Sequence, residues 1–514
     1  MELHLYWGDF HTNLHPRHLP KVEDTYRAAR EYLDFFPVAY YPFYDYRANG
    51  LRVETWRQRR EFLHDWDLLR QVVREYHAPG EFVTFLGYEW HGNRTRYGDH
   101  NVYYFDDGPL SDAETLEELY DHLRVHRGLA IPHHTGYAVG QRGKDWNVHD
   151  DDLSPFAEIY SGHGSSEGCD TPFTLYRNAS MGPRVSGGTV QEGLARGYRL
   201  GIIASGDNHQ GFPGVWGNGL AAVYASELTR EALWESFLRR RVYGVTGDRI
   251  RLEFWINEHF LGEELTAEGP VKVTGQVIGS QALDRVELLR NNRVIHTWNH
   301  AGAWEVPTGG SVRAKLQVEC GWGPAAHYGF RIGERHWEGT LELSEGRFVG
   351  WEGCFTWFGQ KVEQSAAREV HFALTTRPRG QQATGASQQS IIFEVEAPLT
   401  AELCLTVGTT RTTFTLAEAL QNSRCVAFLE EVKQTIREQF ELEPERIENP
   451  DVFWHNAYKV KIHRAVPEAG YKLRLEFVDE DPPSGRNFYY LRVSQLNGQM
   501  AWSSPIWVTK PALS

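Results

Sequence analysis

The chain has 514 residues and a mass of 59.0 kDa, enough for about three domains of ordinary size or for one large barrel with an accessory module. With 41% hydrophobic, 13% aromatic and 24% charged residues its composition is globular, which excludes wholesale disorder. A balance of 68 acidic against 53 basic residues leaves a formal charge of −15 and excludes a nucleic-acid partner held by broad phosphate neutralisation; an anionic substrate must meet a local cluster of positive charge or metal.

From residue 1 to about 250, short apolar runs alternate with helical stretches. The runs at 3–7, 34–39, 82–89, 101–105, 128–133, 156–160 and 200–207 predict strands. Apolar residues at helical spacing predict a helix over 53–76, stopping before Pro79 and Gly80. Ser111-x-x-Glu114 reads as a capping box opening a helix to about His126, and Thr229 opens another that ends near Arg241. Strand followed by helix, repeated, is the pattern of an α/β barrel or a doubly wound sheet. Past residue 250 the period becomes two, and 271–277, 286–289, 312–318, 391–395, 472–477 and 487–493 predict short strands of a sandwich-like region. A polar stretch at 379–390 predicts a loop, and Thr415 with Glu418 predicts the start of a helix to about Phe440. The expected division is a barrel over 1–251 and a β-rich region over 252–514, the latter in one module or in two (252–390 and 391–514).

The five cysteines, Cys169, Cys320, Cys354, Cys404 and Cys425, form no Cys-x-x-Cys pair, which argues against a disulfide scaffold or a thiolate metal site. No basic segment followed by an apolar one opens the chain, and no apolar run reaches about 18 residues, so the sequence reads as soluble and cytoplasmic, without a membrane partner.

Of 23 histidines, 15 fall in residues 1–210. Several stand at strand ends: Asp9 and His11, Glu89, His100, His133 and His134, and Asp207 with His209. In an α/β barrel such ends converge on one mouth, where imidazoles and carboxylates without cysteine suit Zn²⁺, Mn²⁺ or Fe, and a shared carboxylate such as Glu89 bridges two ions about 3.5–4 Å apart. The competing reading is that Asp9, Glu89 and Asp207 cap the helices that follow. It weakens with each added corner, because so many acids buried together without ions would repel one another.

The wording Tyr6-Trp7-Gly8-Asp9-Phe10-His11, Leu86-Gly87-Tyr88-Glu89-Trp90, Ile131-Pro132-His133-His134, Glu158-Ile159-Tyr160-Ser161-Gly162-His163-Gly164 and Ser205-Gly206-Asp207-Asn208-His209 resembles the PHP (polymerase and histidinol phosphatase) superfamily, in particular its branch with a fused β-rich C-terminal region. The resemblance implies a distorted, TIM-like β/α barrel with a hydrolase site of two or three metals. Carried over residue by residue, the opening His-x-His falls on Asp9 and His11 or, with a gap placed differently, on His11 and a non-matching neighbour, the bridging glutamate on Glu89, the next two histidines on His100 and His133, and the closing Asp-x-His on Asp207 and His209. The Asp-His of the second motif has no counterpart, since Ala39-Tyr40-Tyr41-Pro42 stands there; His15 is the substitute within reach. The expected cofactor is therefore one or two divalent ions, or three with His15, as Zn²⁺ or Mn²⁺ with Fe as an alternative.

His134 and His163 are the candidate catalytic groups for proton transfer, and Arg94, Arg96 and Arg142 the candidate clamps for an anionic small-molecule substrate. The function expected is a metal-dependent hydrolase, best read as a phosphoesterase using a metal-activated water. The alternative is a degenerate barrel acting as a carbohydrate- or protein-binding module, for which the 17 Trp and 24 Tyr residues speak.

Overall fold

Residues Val83–Trp90 combine β-branched and aromatic side chains and are buried at every position, as suits a strand covered on both faces. In the computed structural model, which describes residues 2–48, 51–56, 59–93, 95–176, 181–300, 304–305, 307–324, 328–331, 333–378 and 386–511, this strand is the hub of a mixed sheet. Phe35–Pro37 and Ala39–Tyr40 pair with it in parallel and His100–Tyr104 antiparallel. His4–Gly8 runs parallel to Phe35–Pro37 and antiparallel to Leu220–Ala225, while Gly128–Pro132 runs antiparallel to His100–Tyr104. Phe156–Ser161 and Gly201–Ala204 pair in parallel within a small separate sheet. The fold is mixed α/β and strand-rich. Where an ideal TIM barrel closes on eight parallel strands, four of these neighbouring pairs are parallel and three antiparallel.

The sheet continues from Leu220–Ala225 through Val242–Val245 to Met500–Ser503, Gly485–Gln495 and Ile506–Lys510. The chain accordingly divides into one unit of Met1–Gly279, Leu283–Ala301 and Leu473–Ser514, and a second of Ser280–Ala282 and Gly302–Lys472. The boundary expected at 252 falls inside the first unit: Leu252, Phe254 and Ile256 lie in the same hydrophobic core as Trp7 and Tyr88. A change of period marks half-covered strands rather than a new domain. The second unit holds a six-stranded and a five-stranded sheet, and the division expected at 390 and 391 lies within the single strand Ala386–Pro398. The expected loop at 379–390 joins that strand at 386, and 379–385 lie outside the described residues.

Three local expectations shift. Residues 51–56 form a strand paired with Phe43–Ala48, and the helix starts only at Arg59, running to Tyr76. The capping box moves four residues on: Thr115 Oγ1 accepts the Glu118 N–H and Glu118 Oε2 accepts that of Thr115, opening Leu116–His126, whereas Ser111 Oγ accepts the Ala113 N–H. The same Ser/Thr-x-x-Glu spacing occurs at both places, and burial of Leu116 and Leu119 decides between them. The helix expected from Thr415 to Phe440 is two, Leu416–Gln421 and Leu429–Phe440, with the strand Arg424–Ala427 between them. Among the described residues no helix is long and apolar enough to cross a membrane.

Candidate metal centre

Six chain segments deliver ionisable side chains to one buried place. His11 follows His4–Gly8; Glu89 lies in Val83–Trp90 with His91 two residues on, on the same side by strand alternation; Asp99 precedes His100–Tyr104. His133 and His134 follow Gly128–Pro132, Glu158 and His163 come from Phe156–Ser161 and the turn after it, and Asp207 follows Gly201–Ala204. All these side chains are buried.

Their ligand atoms form four overlapping groups whose members lie within 4.8 Å of one another: His11, Glu89 and His133; Glu89, His91 and Asp99; Asp99, His133 and His134; and His134, His163 and Asp207. His11 Nε2 is 3.8 Å from Glu89 Oε2 and 3.7 Å from Asp207 Oδ1, and His133 Nε2 is 3.6 Å from Glu89 Oε1. His163 Nε2 is 2.9 Å from Asp207 Oδ2 but out of line for a hydrogen bond, while its Nδ1 is 2.7 Å from the Tyr137 hydroxyl. His91 Nε2 meets Glu89 Oε1 at 2.7 Å, and its ring stacks on Phe43 with centroids 3.9 Å apart.

This donor set fits divalent cations. His11 Nε2, Glu89 Oε2, both ring nitrogens of His133, His134 Nδ1 and Asp207 Oδ2 are buried without a hydrogen-bond partner, an arrangement that costs about 1–3 kcal/mol per atom unless something else fills it. The electrostatics make the same demand. Burial works to lower the His11 pKa, yet the Asp207 and Glu158 carboxylates raise it well above the ordinary value, so the place attracts positive charge. Burial works to raise the acids, but imidazoles hold both well below the carboxylate range: His91, His11 and His133 act on Glu89, and His163 and His11 on Asp207. His134, by contrast, is pushed well below by burial and by neighbouring His133 and His163, which leaves it a neutral donor. His134 and Asp207 hold left-handed backbone, with φ of 35° and 47°, a strain of order 1–3 kcal/mol each that functional sites characteristically carry.

The sequence expectations divide. His11, Glu89, His133 and Asp207 come together as ligand atoms, joined by the expected catalytic pair His134 and His163. Asp9 does not join them: its Oδ1 accepts the N–H groups of His11 and Gly206, and its Oδ2 accepts the Thr12 hydroxyl and the Gly214 N–H. Four donors saturate it, so it ties its own loop to the 205–219 connection at two points, close to the capping role weighed against ligation. His209 lies at the rim, 3.2 Å from Asp207 Oδ1, with His15 Nε2 on its other nitrogen at 2.8 Å. Burial and His209 lower the His15 pKa to about 3, keeping it neutral. His100 is buried beside Gly98 O and belongs to none of the four groups. Arg142 Nη1 stands 3.5 Å from Asp99 Oδ2. Arg96 is exposed and lies over the Tyr97 ring, and Arg94 lies outside the described residues. His91, Asp99 and Glu158 are the residues that sequence reasoning missed; the i, i+2 spacing of Glu89 and His91 and the adjacency of Asp99 to His100 were the available signals.

Residues 215–282 match a family described as a protein of unknown function, DUF3604. The chain is 30% identical over 256 residues to an uncharacterised protein of Chlamydia pneumoniae, a stretch that is 45% of this chain and 40% of that one. It is 27% identical over 263 residues to an uncharacterised protein of Chlamydia trachomatis serovar D, covering 46% and 41% respectively. The chain thus spans less than half the length of these relatives. A solved two-domain protein from Bacteroides vulgatus, described as containing a predicted PHP-like metal-dependent phosphoesterase, aligns over 80% of this chain and 95% of that one at 12% identity. Its TM-score of 0.31 is too low to carry an argument about fold or activity.

Proposed function

We propose that the first unit is a metal-dependent hydrolase of the PHP type, a distorted β/α barrel acting on a phosphoester. The observation that carries this is the convergence of unpartnered, fully buried nitrogen and oxygen atoms on Glu89, His11, His133, His134 and Asp207. On this reading His11, Glu89 and His133 hold one ion, and Asp207 with His134 and His163 a second, as Zn²⁺ or Mn²⁺. That makes His134 and His163 ligands rather than the proton carriers their sequence position suggests.

Charge supports two ions. Glu89, Asp99, Glu158 and Asp207 bring four carboxylates into the cluster, with Arg142 beside Asp99 as a cationic partner. Buried charges of one sign require compensation, and two divalent cations supply it. When bound, such ions acidify a water and stabilise charge on the attacked centre. The chain's own residues do the rest: Asp9 holds the loop after residue 8 and the 205–219 connection in register, Tyr137 fixes the His163 ring, and Arg142 is the group best placed to orient an anionic substrate.

The test is elemental analysis of the purified full chain, followed by chromogenic phosphomono- and phosphodiesters with Mn²⁺ or Zn²⁺. About two ions per chain and turnover that chelator removes are expected, with both lost in Glu89→Gln. A chain holding no ion above background would sink the reading and leave the binding-module alternative.

A further inference from the structure

An imidazole offers an ion a lone pair on one nitrogen only, so a buried histidine ligand needs a second interaction to decide which nitrogen that is. At His11 the structure supplies one. His11 Nδ1 lies 2.8 Å from Glu158 Oε2, and the same oxygen accepts the Ser205 hydroxyl at 2.9 Å. Glu158 is 2% exposed and belongs to none of the groups of converging ligand atoms. Its position comes from the sheet: Phe156–Ser161 runs parallel to Gly201–Ala204 with Glu158 opposite Ile203, which sets its carboxylate between the loop carrying His11 and the loop carrying Ser205 and Asp207.

We propose that Glu158 is a positioning residue: its carboxylate takes the Nδ1–H of His11, fixes that tautomer, and leaves Nε2 free for the ion that His11 would hold with Glu89 and His133. The inference rests on the hydrolase reading for the presence of the ion. A carboxylate behind a ligating imidazole fixes the ring and makes the lone pair more basic, and loss of such a partner weakens metal binding about 10–100-fold. Through Ser205, Glu158 also couples the His11 loop to the Asp207 loop, so one side chain orients two ligand-bearing segments.

The test titrates Zn²⁺ into the metal-free full chain by calorimetry, with near-ultraviolet circular dichroism to verify folding. In Glu158→Gln the affinity should fall about 10–100-fold while the number of ions bound at saturation stays that of the wild type; Glu158→Asp should recover part of the loss. A folded Glu158→Gln variant with affinity within about twofold of wild type overturns the proposal, and so does a drop in the number of ions, which would make Glu158 a ligand. An independent readout needs no variant at this position. In ¹⁵N-histidine-labelled, Zn²⁺-loaded wild type, the long-range proton–nitrogen pattern of His11, assigned by its loss in His11→Asn, should show the proton on Nδ1; a proton on Nε2 overturns the proposal even where Glu158→Gln does not fold. A wild type that takes up no Zn²⁺ defeats the hydrolase reading, whereas Zn²⁺ uptake that ignores Glu158 defeats this inference alone.

Discussion

Two buried polar networks in the first unit invite comparison, because both are built on a glutamate with almost no exposure. At Glu167 both oxygens are partnered: Oε1 accepts Arg492 Nη1 at 2.9 Å and the Tyr490 hydroxyl at 3.0 Å, and Oε2 accepts Trp502 Nε1 at 2.9 Å. Arg492 is held in turn by Glu287 at 2.8 Å. At Glu89 the oxygen Oε2 has no hydrogen-bond partner, and neither His11 Nε2, 3.8 Å from it, nor His133 Nε2, 3.6 Å from Oε1, has one. The first network is closed and fastens the C-terminal strands to the sheet. The second is left open at the atoms that suit an ion. Burial alone does not separate glue from function; the count of unmet lone pairs does.

The largest expected effect breaks the closed network. Glu167→Ala strands Arg492 Nη1 and the Tyr490 and Trp502 donors, and should cost about 3–5 kcal/mol in urea unfolding; a loss under about 1 kcal/mol would show the network to be ornamental. Between the two extremes stands Lys144, fully buried with the Val148 carbonyl 2.7 Å from its Nζ. Burial lowers its pKa from 10.5 to about 7. Between those values the unfolded chain carries a proton that the folded chain lacks, so this group makes stability rise with pH across that window, by up to ~1.4 kcal/mol per unit. Lys144→Met should flatten that slope, and an unchanged slope would refute the assignment. The smallest effect belongs to the open network: with metal chelated, Glu89→Gln should melt within a few degrees of wild type or above it, as a site held for function rather than stability allows. A loss beyond about 2 kcal/mol would place Glu89 among the structural residues.

Most of the open network was legible because strand ends carry the chemistry: Glu89, His133 and Asp207 sit at or just past the ends of short, continuous apolar runs. Asp9 stands apart from the converging atoms, because its partners are three backbone N–H groups and a hydroxyl, which spacing does not reveal. Glu158 carries no such signal, since it lies inside a strand and its partner is 147 residues away. The same distance problem hid the domain boundary: alternation at 487–493 announces a strand but not that it pairs with Leu283–Arg290.

That pairing bears on how the protein is made. Leu288 waits for Leu491, and Val245 for Ala501, while all of Gly302–Lys472 is synthesised between Leu288 and Leu491. During translation the intervening unit therefore emerges whole before the strands that finish the sheet leave the ribosome, and the edge of Val242–Val245 stays unpaired on that side in the meantime. Contacts this far apart in sequence make closure slow. A nascent chain stalled near residue 480 would hold the residues of the candidate metal centre on a sheet whose last strands do not yet exist.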